Sequence, residues 1–514
     1  MLGSVRTVAL AGLKSHAVHV EADVVPGLPC TQIVGLPDVS VREAKERVHA
    51  AIRNSGYEWP AARITLNLAP AELPKEGSGF DLPIALALLA ASGQAKGAAL
   101  AGLVFVGELS LDGRLRPVRG ALVAALSARE ERARGIVVPA ENGAEAASAE
   151  GVLLARAGTL REVVERVGED GFFATAPGPS IPEGAPGGPD LAEVRGQPDA
   201  RRALEIAAAG GHNLLLIGPP GTGKTMLARR LPTILPPLTR SHVLEATMIH
   251  SVAGTLSEGH PVARPPFRAP HHTVSDVGLV GGGNPPRPGE VSLAHRGVLF
   301  LDELPEFRRS ALESLRQPLE DRRVTVVRAA RSAEFPASFQ LLASMNTCAC
   351  GHSGTDRPCS CTSTDLRRYR ARVSGPLLDR IDLHVTVPAV DVARLTEGGA
   401  EESSAVVAAR VAAARAVQSA RARRQDQTAI LNAELEGRRL RETCELPPGG
   451  RDLLAGALRR RGLSARALHR VMRVARTIAD LEGAEAVMLA HLADAVRYRL
   501  LSDGSRPSAI DEST

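Results

Sequence analysis

The chain has 514 residues, 44% hydrophobic but only 3% aromatic, with 62 basic against 57 acidic residues and a net charge of +5. That length exceeds one ordinary core and, at roughly 150 residues per domain, implies about three domains with interiors built from Ala, Val, Leu and Ile. The composition excludes a disordered chain and the small net charge is no argument for nucleic acid; without a signal-peptide pattern or a stretch approaching roughly 18 apolar residues, a cytoplasmic protein with no membrane partner is expected.

Residues 1–168 alternate short strands with helices and read as an α+β domain. Thr7–Leu10, His16–Val25 and Arg63–Leu68 are β-like runs, Ser40–Asn54 and Asp81–Ser92 have helical periodicity, and Asp112-Gly113 signals a hairpin between Leu103–Leu109 and Arg114–Val118. Residues 169–190 include the run Ala176–Pro189, too rich in Pro and Gly for a regular element, which reads as an interdomain linker.

Residues 191–398 carry the chemistry. After a helix, Pro198–Ala209, the apolar run Asn213–Ile217 leads directly into Gly218-Pro219-Pro220-Gly221-Thr222-Gly223-Lys224-Thr225, which matches G-x-x-x-x-G-K-[ST] at every fixed position. The glycines let successive N–H groups curl around a triphosphate, the following helix turns its positive end toward it, Lys224 neutralises the outer phosphates, and the Thr225 hydroxyl holds Mg²⁺. A nucleoside triphosphate, taken as ATP, and Mg²⁺ are the expected cofactors.

An ATPase also needs acids. Val298–Leu301 is an apolar strand ending in Asp302 and Glu303, about eighty residues past the loop, where Asp302 would anchor Mg²⁺ and Glu303 would polarise the attacking water. Arg323–Val327 and Ser332–Phe335 look like a hairpin, and Arg322, Arg323, Arg328 and Arg331 make it a cationic loop or a solvated charged one. Phe339–Met345 is a further apolar strand ending at Asn346, whose amide could orient the same water or simply terminate the strand.

Cys348-x-Cys350 and Cys359-x-Cys361 place four thiols within fourteen residues. They could make a tetrahedral Zn²⁺ site or remain free or redox-labile thiols, since common ribbons use C-x-x-C. Residues 399–502 are almost wholly helical (Ser403–Arg424, Gly450–Arg460, Ser464–Leu481, Val487–Leu500), and residues 503–514 read as a loose tail. Arg466, Arg470 and Arg473 share one helical face opposite Leu468, Val471 and Ile478, and could form a cationic surface or merely be solvated.

The ordered set Gly218–Thr225, Val298–Glu303, Asn346 and Gly375-Pro376-Leu377-Leu378-Asp379-Arg380-Ile381-Asp382, followed by a helical lid, resembles an AAA+ ATPase. Pro285–His295 resembles the extra insertion of magnesium-chelatase motor subunits and replicative MCM helicases. With the amino-terminal domain and the cysteine set, the whole resembles the bacterial ComM/YifB family of magnesium-chelatase-like competence proteins.

That resemblance implies an α/β P-loop core with a helical lid, a hexameric ring, and branch migration of DNA during recombination of incoming strands in natural transformation; the alternative is a chelatase-like ATPase remodelling a protein partner. It makes Arg380 the arginine finger and Arg466 the second sensor, acting at a site shared between subunits. The Pro285–Ala294 insertion and the arginine hairpin would face DNA in the pore. Residues 1–168 resemble the Lon-protease fold, but Ser78 in Pro74-Lys75-Glu76-Gly77-Ser78 is out of register and the later Arg119-Gly120-Ala121-Leu122-Val123 lacks a base lysine, so no proteolysis is expected.

Overall fold

The computed structural model describes residues 2–180, 187–257, 259–328, 331–355, 357–390, 401–424, 431–461 and 465–499. The expected tail at 503–514, the end of the helix expected to reach Leu500, and Ser464 lie outside them. Among the described residues no helix is long and apolar enough to cross a membrane.

The amino-terminal half is organised on an eight-stranded mixed sheet in the order Ala174–Thr175, Leu153–Ala157, Gly135–Pro139, Leu103–Phe105, Leu2–Ala11, Lys14–Val25, Arg63–Ala69, Cys30–Val34. The long hairpin at its centre pairs Leu2 with Asp23 through to Ala11 with Lys14. Val18, Val20 and Ala22 point to one side and are fully buried while His19 is exposed, the period of two expected of a strand with one covered face. That face is covered by Val39–Asn54 and by Asp81–Ala91, a helix apolar on every side and buried almost throughout.

Leu103–Leu109, expected as one strand, divides into Leu103–Phe105 and Glu108–Leu109. Gly107 lies at the break, where a Cβ would stand 2.9 Å from the Leu115 side chain, so the chain turns to let Leu115 in. Glu108–Leu109 then pairs antiparallel with Leu115–Arg116 across the Asp112-Gly113 turn.

The second sheet is five-stranded and parallel, in the order Phe267–Arg268, Val298–Leu301, Gln340–Met345, Leu214–Ile217, Leu383–Thr386. Both its faces are covered, so Leu214–Leu216, Val298–Leu301 and Gln340–Met345 are continuous buried runs rather than alternating ones. Because all five strands run the same way, the loop after Ile217, the acids after Leu301 and Asn346 after Met345 emerge at one edge.

The helices Ser404–Arg424, Gly450–Arg461, Ala465–Leu481 and Leu489–Arg497 form the carboxy-terminal layer. Arg415 and Gln418 donate to the carbonyls of Ala208 and Ala209 at the end of the helix Pro198–Gly210, which joins this layer to the sheet. The two halves also meet directly: Leu244 and Met248, on the helix Arg240–Ala253, pack into the core around Leu122 and Ile136, and the Gly120 N–H donates to the Ser251 carbonyl at 3.1 Å.

Candidate active site

The phosphate loop has the backbone its sequence requires. Gly221 and Gly223 adopt φ of +78° and +88°, and a Cβ on Gly218 would stand 2.1 Å from the Val387 carbonyl oxygen. Lys224 opens the helix Lys224–Ala228 and is almost fully buried. Its ammonium donates to the carbonyls of Gly218 at 2.8 Å and Pro219 at 2.7 Å and to Asn346 Oδ1 at 3.2 Å. Burial lowers its pKa, opposed by the charges of Asp302 and Glu303.

Thr225 Oγ1 donates to Asp302 Oδ2 at 2.7 Å, so hydroxyl and carboxylate converge where a divalent cation could sit. Ser344, on the neighbouring strand, donates to the other Asp302 oxygen, and the Glu303 N–H lies 3.1 Å from Asp302 Oδ1 and 3.2 Å from Ser344 Oγ. Glu303 takes a left-handed φ of +54°, uncommon for a residue with a side chain. The twist separates the two acids: Asp302 faces Thr225, while the half-exposed Glu303 carboxylate faces His272 Nδ1 at 3.6 Å.

Sequence reasoning missed Ser344 and His272. Ser344 is a small polar residue within the apolar run Gln340–Met345, and His272 belongs to a His271-His272 pair just beyond the two-residue strand Phe267–Arg268. Its ring lies 4.0 Å from that of His271 and edge-on to Phe307 at 6.4 Å. Those were the signals available; only the sheet brings either residue to the acids.

Asn346 is held at both its amide and its backbone. Lys224 donates to the amide oxygen, and the backbone hydrogen-bonds to Tyr369, whose phenol burial pushes up to about 12. Two residues on, the cysteine set comes together: Cys348–Cys350, Cys350–Cys359 and Cys348–Cys359 Sγ separations are 3.4, 3.5 and 3.7 Å, and all four sulfurs, Cys361 included, lie within 4.8 Å of one another. None of the four is in a disulfide.

Arg380 and the helix bearing Arg466 stand apart from the loop of their own chain. The Asn213 side chain, at the amino end of the strand Leu214–Ile217, donates to the Arg380 carbonyl at 2.9 Å, so Arg380 lies at the sheet edge opposite the phosphate loop. Its guanidinium is taken by Glu320 and the Pro376 carbonyl. The helix Ala465–Leu481 docks on the same edge, with Arg470 3.8 Å from Asp382 and Thr477 bonded to His212 at 2.8 Å; Arg466 is exposed near its start.

Arg470 and Arg473, open on sequence between a cationic surface and a solvated one, form neither. Arg470 turns toward buried Asp382, and Arg473 donates to the Leu435 carbonyl at 2.7 Å and pairs with Glu436. Both fasten the lid.

The hairpin forms as Arg323–Arg328 against Arg331–Pro336, with Val324, Val326, Ala333 and Phe335 buried. Arg322, left-handed at φ +57°, pairs with Glu434 at 2.6 Å, and Arg323 reaches Glu334 at 3.5 Å. Arg328 and Arg331 oppose each other in the last pair before the tip. The carboxy-terminal part of the insertion Pro285–Ala294 is packed into the fold: Val291 to Ala294 are buried, and Glu290 is bound by Arg268 through two bonds of 2.7 Å. Only Gly283, Asn284 and Arg287 around its turn are exposed.

In the amino-terminal half, Lys75 is fully buried with its ammonium on the Pro70 carbonyl, while Ser78 donates to Glu108. The two side chains thus engage other partners rather than forming a Ser–Lys pair.

Three family models match the chain: the magnesium chelatase subunit ChlI over residues 190–395, the subunit ChlI of Mg-chelatase over 20–142, and the magnesium chelatase subunit ChlI C-terminal region over 401–499. The chain is similar to the protein YifB of Salmonella typhimurium, 45% identical with 97% of each chain covered, and to the competence protein ComM of Haemophilus influenzae, 43% identical with 96% of each covered. It is also 30% identical over 139 residues to Lon protease 2 of Bacillus subtilis, covering 26% of this chain and 25% of that one. The parallel sheet with its phosphate loop, the Lon-like amino-terminal half and these near-full-length relatives together make this chain a member of the ComM/YifB family of magnesium-chelatase-like AAA+ ATPases.

Proposed function

We propose that the chain is an ATP-hydrolysing motor of a hexameric ring that moves branched DNA, driving branch migration in recombination of incoming strands. The observation that carries the ATPase half is the convergence of Lys224, Thr225, Asp302 and Asn346 at one sheet edge, with Glu303 turned outward beside them. The loop 218–225 would cradle the triphosphate and Lys224 would leave its carbonyls for the outer phosphates. Mg²⁺ would be held by Thr225 and Asp302, where it supplies charge neutralisation on the phosphates.

Glu303 accepts the proton of the attacking water and Asn346 orients that water, while Arg380 and Arg466 of a neighbouring subunit meet the γ-phosphate. The placement of both arginine-bearing segments at the far edge of the sheet supports a site shared between subunits. A Zn²⁺ ion in the four-cysteine cluster belongs to the same reading, because the donor set and its spacing fit that ion.

For DNA the support is the likeness to a competence protein, together with the arginine hairpin. The hairpin gathers Arg322, Arg323, Arg328 and Arg331 at one strand pair, and cations so clustered in the chain suit a phosphate backbone whatever its sequence. The test is a four-way-junction migration assay with the intact protein, Lys224→Ala and Glu303→Gln. Migration by the intact protein alone supports the reading; ATP hydrolysis indifferent to DNA, with junctions unmoved at low salt, would point instead to remodelling of a protein.

A further inference from the structure

The four-cysteine cluster sits against the nucleotide site. Asn346, Thr347 and Cys348 are consecutive, so the residue bonded to Lys224 is two positions from a buried member of the cluster. Gly351, inside the loop joining the two cysteine pairs, is buried at φ +81°, and a Cβ there would stand 2.9 Å from Pro220 Cγ and 3.1 Å from its Cδ. The cysteine loop thus packs directly on the phosphate loop.

Four thiolates about 2.3 Å from a tetrahedral Zn²⁺ lie about 3.8 Å apart. The separations among Cys348, Cys350 and Cys359, 3.4, 3.5 and 3.7 Å, come near that figure, and all four sulfurs lie within 4.8 Å of one another, whereas a disulfide requires about 2.05 Å. Backbone dipoles are aimed at the sulfurs: the Ser353 N–H donates to Cys348 Sγ at 3.3 Å, and those of His352 and Ser360 reach Cys350. Such donors orient and stabilise metal-bound thiolates. Thr347 adds a bond to the Ser353 carbonyl at 2.6 Å, closing the loop on the segment that carries Asn346.

We infer that Zn²⁺ held by Cys348, Cys350, Cys359 and Cys361 braces the ATP site, fixing Asn346 from one side and the phosphate loop at Pro220 from the other, so that ATP turnover depends on the bound metal. This rests on the reading of the loop as an ATP site and of the cluster as a zinc site. Without the ion the four thiols keep only weak sulfur hydrogen bonds and the Thr347 bond to Ser353, so Gly351 can move off Pro220 and both the loop and Asn346 lose firm backing. A displacement of about 1 Å in such groups lowers turnover on the order of 100-fold.

The experiment uses the full chain expressed with zinc and purified under reductant. Elemental analysis should find about one zinc per chain. Release of that zinc by an organomercurial, followed with a metallochromic dye, should lower kcat for ATP on the order of 100-fold and weaken ATP binding by direct titration, and thiol reductant plus zinc should restore both. Cys359→Ser, at an exposed ligand, should reproduce the metal-free state. Gly351→Ala should keep the zinc yet weaken ATP binding, because its methyl group meets Pro220.

Absence of zinc from the intact protein overturns both the metal site and its bracing role. Zinc that is present, but whose removal leaves ATP affinity and kcat unchanged, or a zinc-bearing Gly351→Ala with unaltered ATP affinity, overturns the bracing role alone. An intact, zinc-bearing protein that binds ATP but does not hydrolyse it contradicts the ATPase reading, while its ATP affinity still reads out the bracing.

Discussion

Within a few ångströms of the phosphate loop, neighbouring carboxylates have different surroundings and therefore different tasks. Asp302 receives Thr225 and Ser344, which suits a group that anchors a cation; Glu303 is turned outward by its left-handed backbone, which suits one that handles a water. Glu303→Gln should keep ATP binding and lower kcat between about 10²- and 10⁴-fold, read in a single-turnover assay. Lys224→Ala should instead weaken ATP binding roughly 30-fold, about 2 kcal/mol for a lost charge-assisted contact, read by direct titration. His272 lies 3.6 Å from the Glu303 carboxylate, so His272→Ala should lower kcat about tenfold with KM nearly unchanged, as expected for a group that positions the carboxylate. A rise in KM with unaltered kcat would place His272 in binding instead.

At the scale of elements, local pattern and long-range pairing divide what could be read. The phosphate loop was legible because its glycines and its lysine answer to a backbone shape confined to eight residues, and Asp302-Glu303 because an apolar run delivers them. The helices expected at Ser40–Asn54 and Pro198–Ala209 appear as Val39–Asn54 and Pro198–Gly210, since one covered face writes a clear periodicity. Phe267–Arg268 is too short for any periodicity, and Cys30–Val34 is a strand only through its pairing with Arg63–Ala69. Ser344 meets Asp302 because its strand pairs in register with Val298–Leu301, a contact no local window contains.

Lid docking is likewise non-local. Burial alone would raise the Asp382 carboxyl, but the hydrogen bond and charge of His212, with Arg470 and Arg473, outweigh it and hold it at about 2. A folded value below the ordinary 3.8 means stability that is fully present above about pH 4 and is lost as pH falls through about 2. Asp382→Ala should therefore cost ~3 kcal/mol at pH 7 by leaving Arg470 uncompensated, with the difference from the intact chain closing toward pH 2, as read from urea-unfolding midpoints.

For the whole molecule, a single chain supplies only part of the proposed chemistry. Its loop and acids lie at one sheet edge, and its Arg380 and the helix of Arg466 at the other, so each edge is suited to complete a different neighbour's site. The hairpin tip belongs to the same scale: removing Arg328 and Arg331 should weaken DNA binding without base preference and reduce the slope of log affinity against log salt by about 1 to 2, measured by titration over a salt series. The most direct measurement mixes two inactive variants. Lys224→Ala lacks its own loop contact but offers an intact Arg380, and Arg380→Ala has the converse defect. If one site is built from two subunits, the mixture should hydrolyse ATP although neither variant does alone; a mixture as inactive as its components would contradict the shared site.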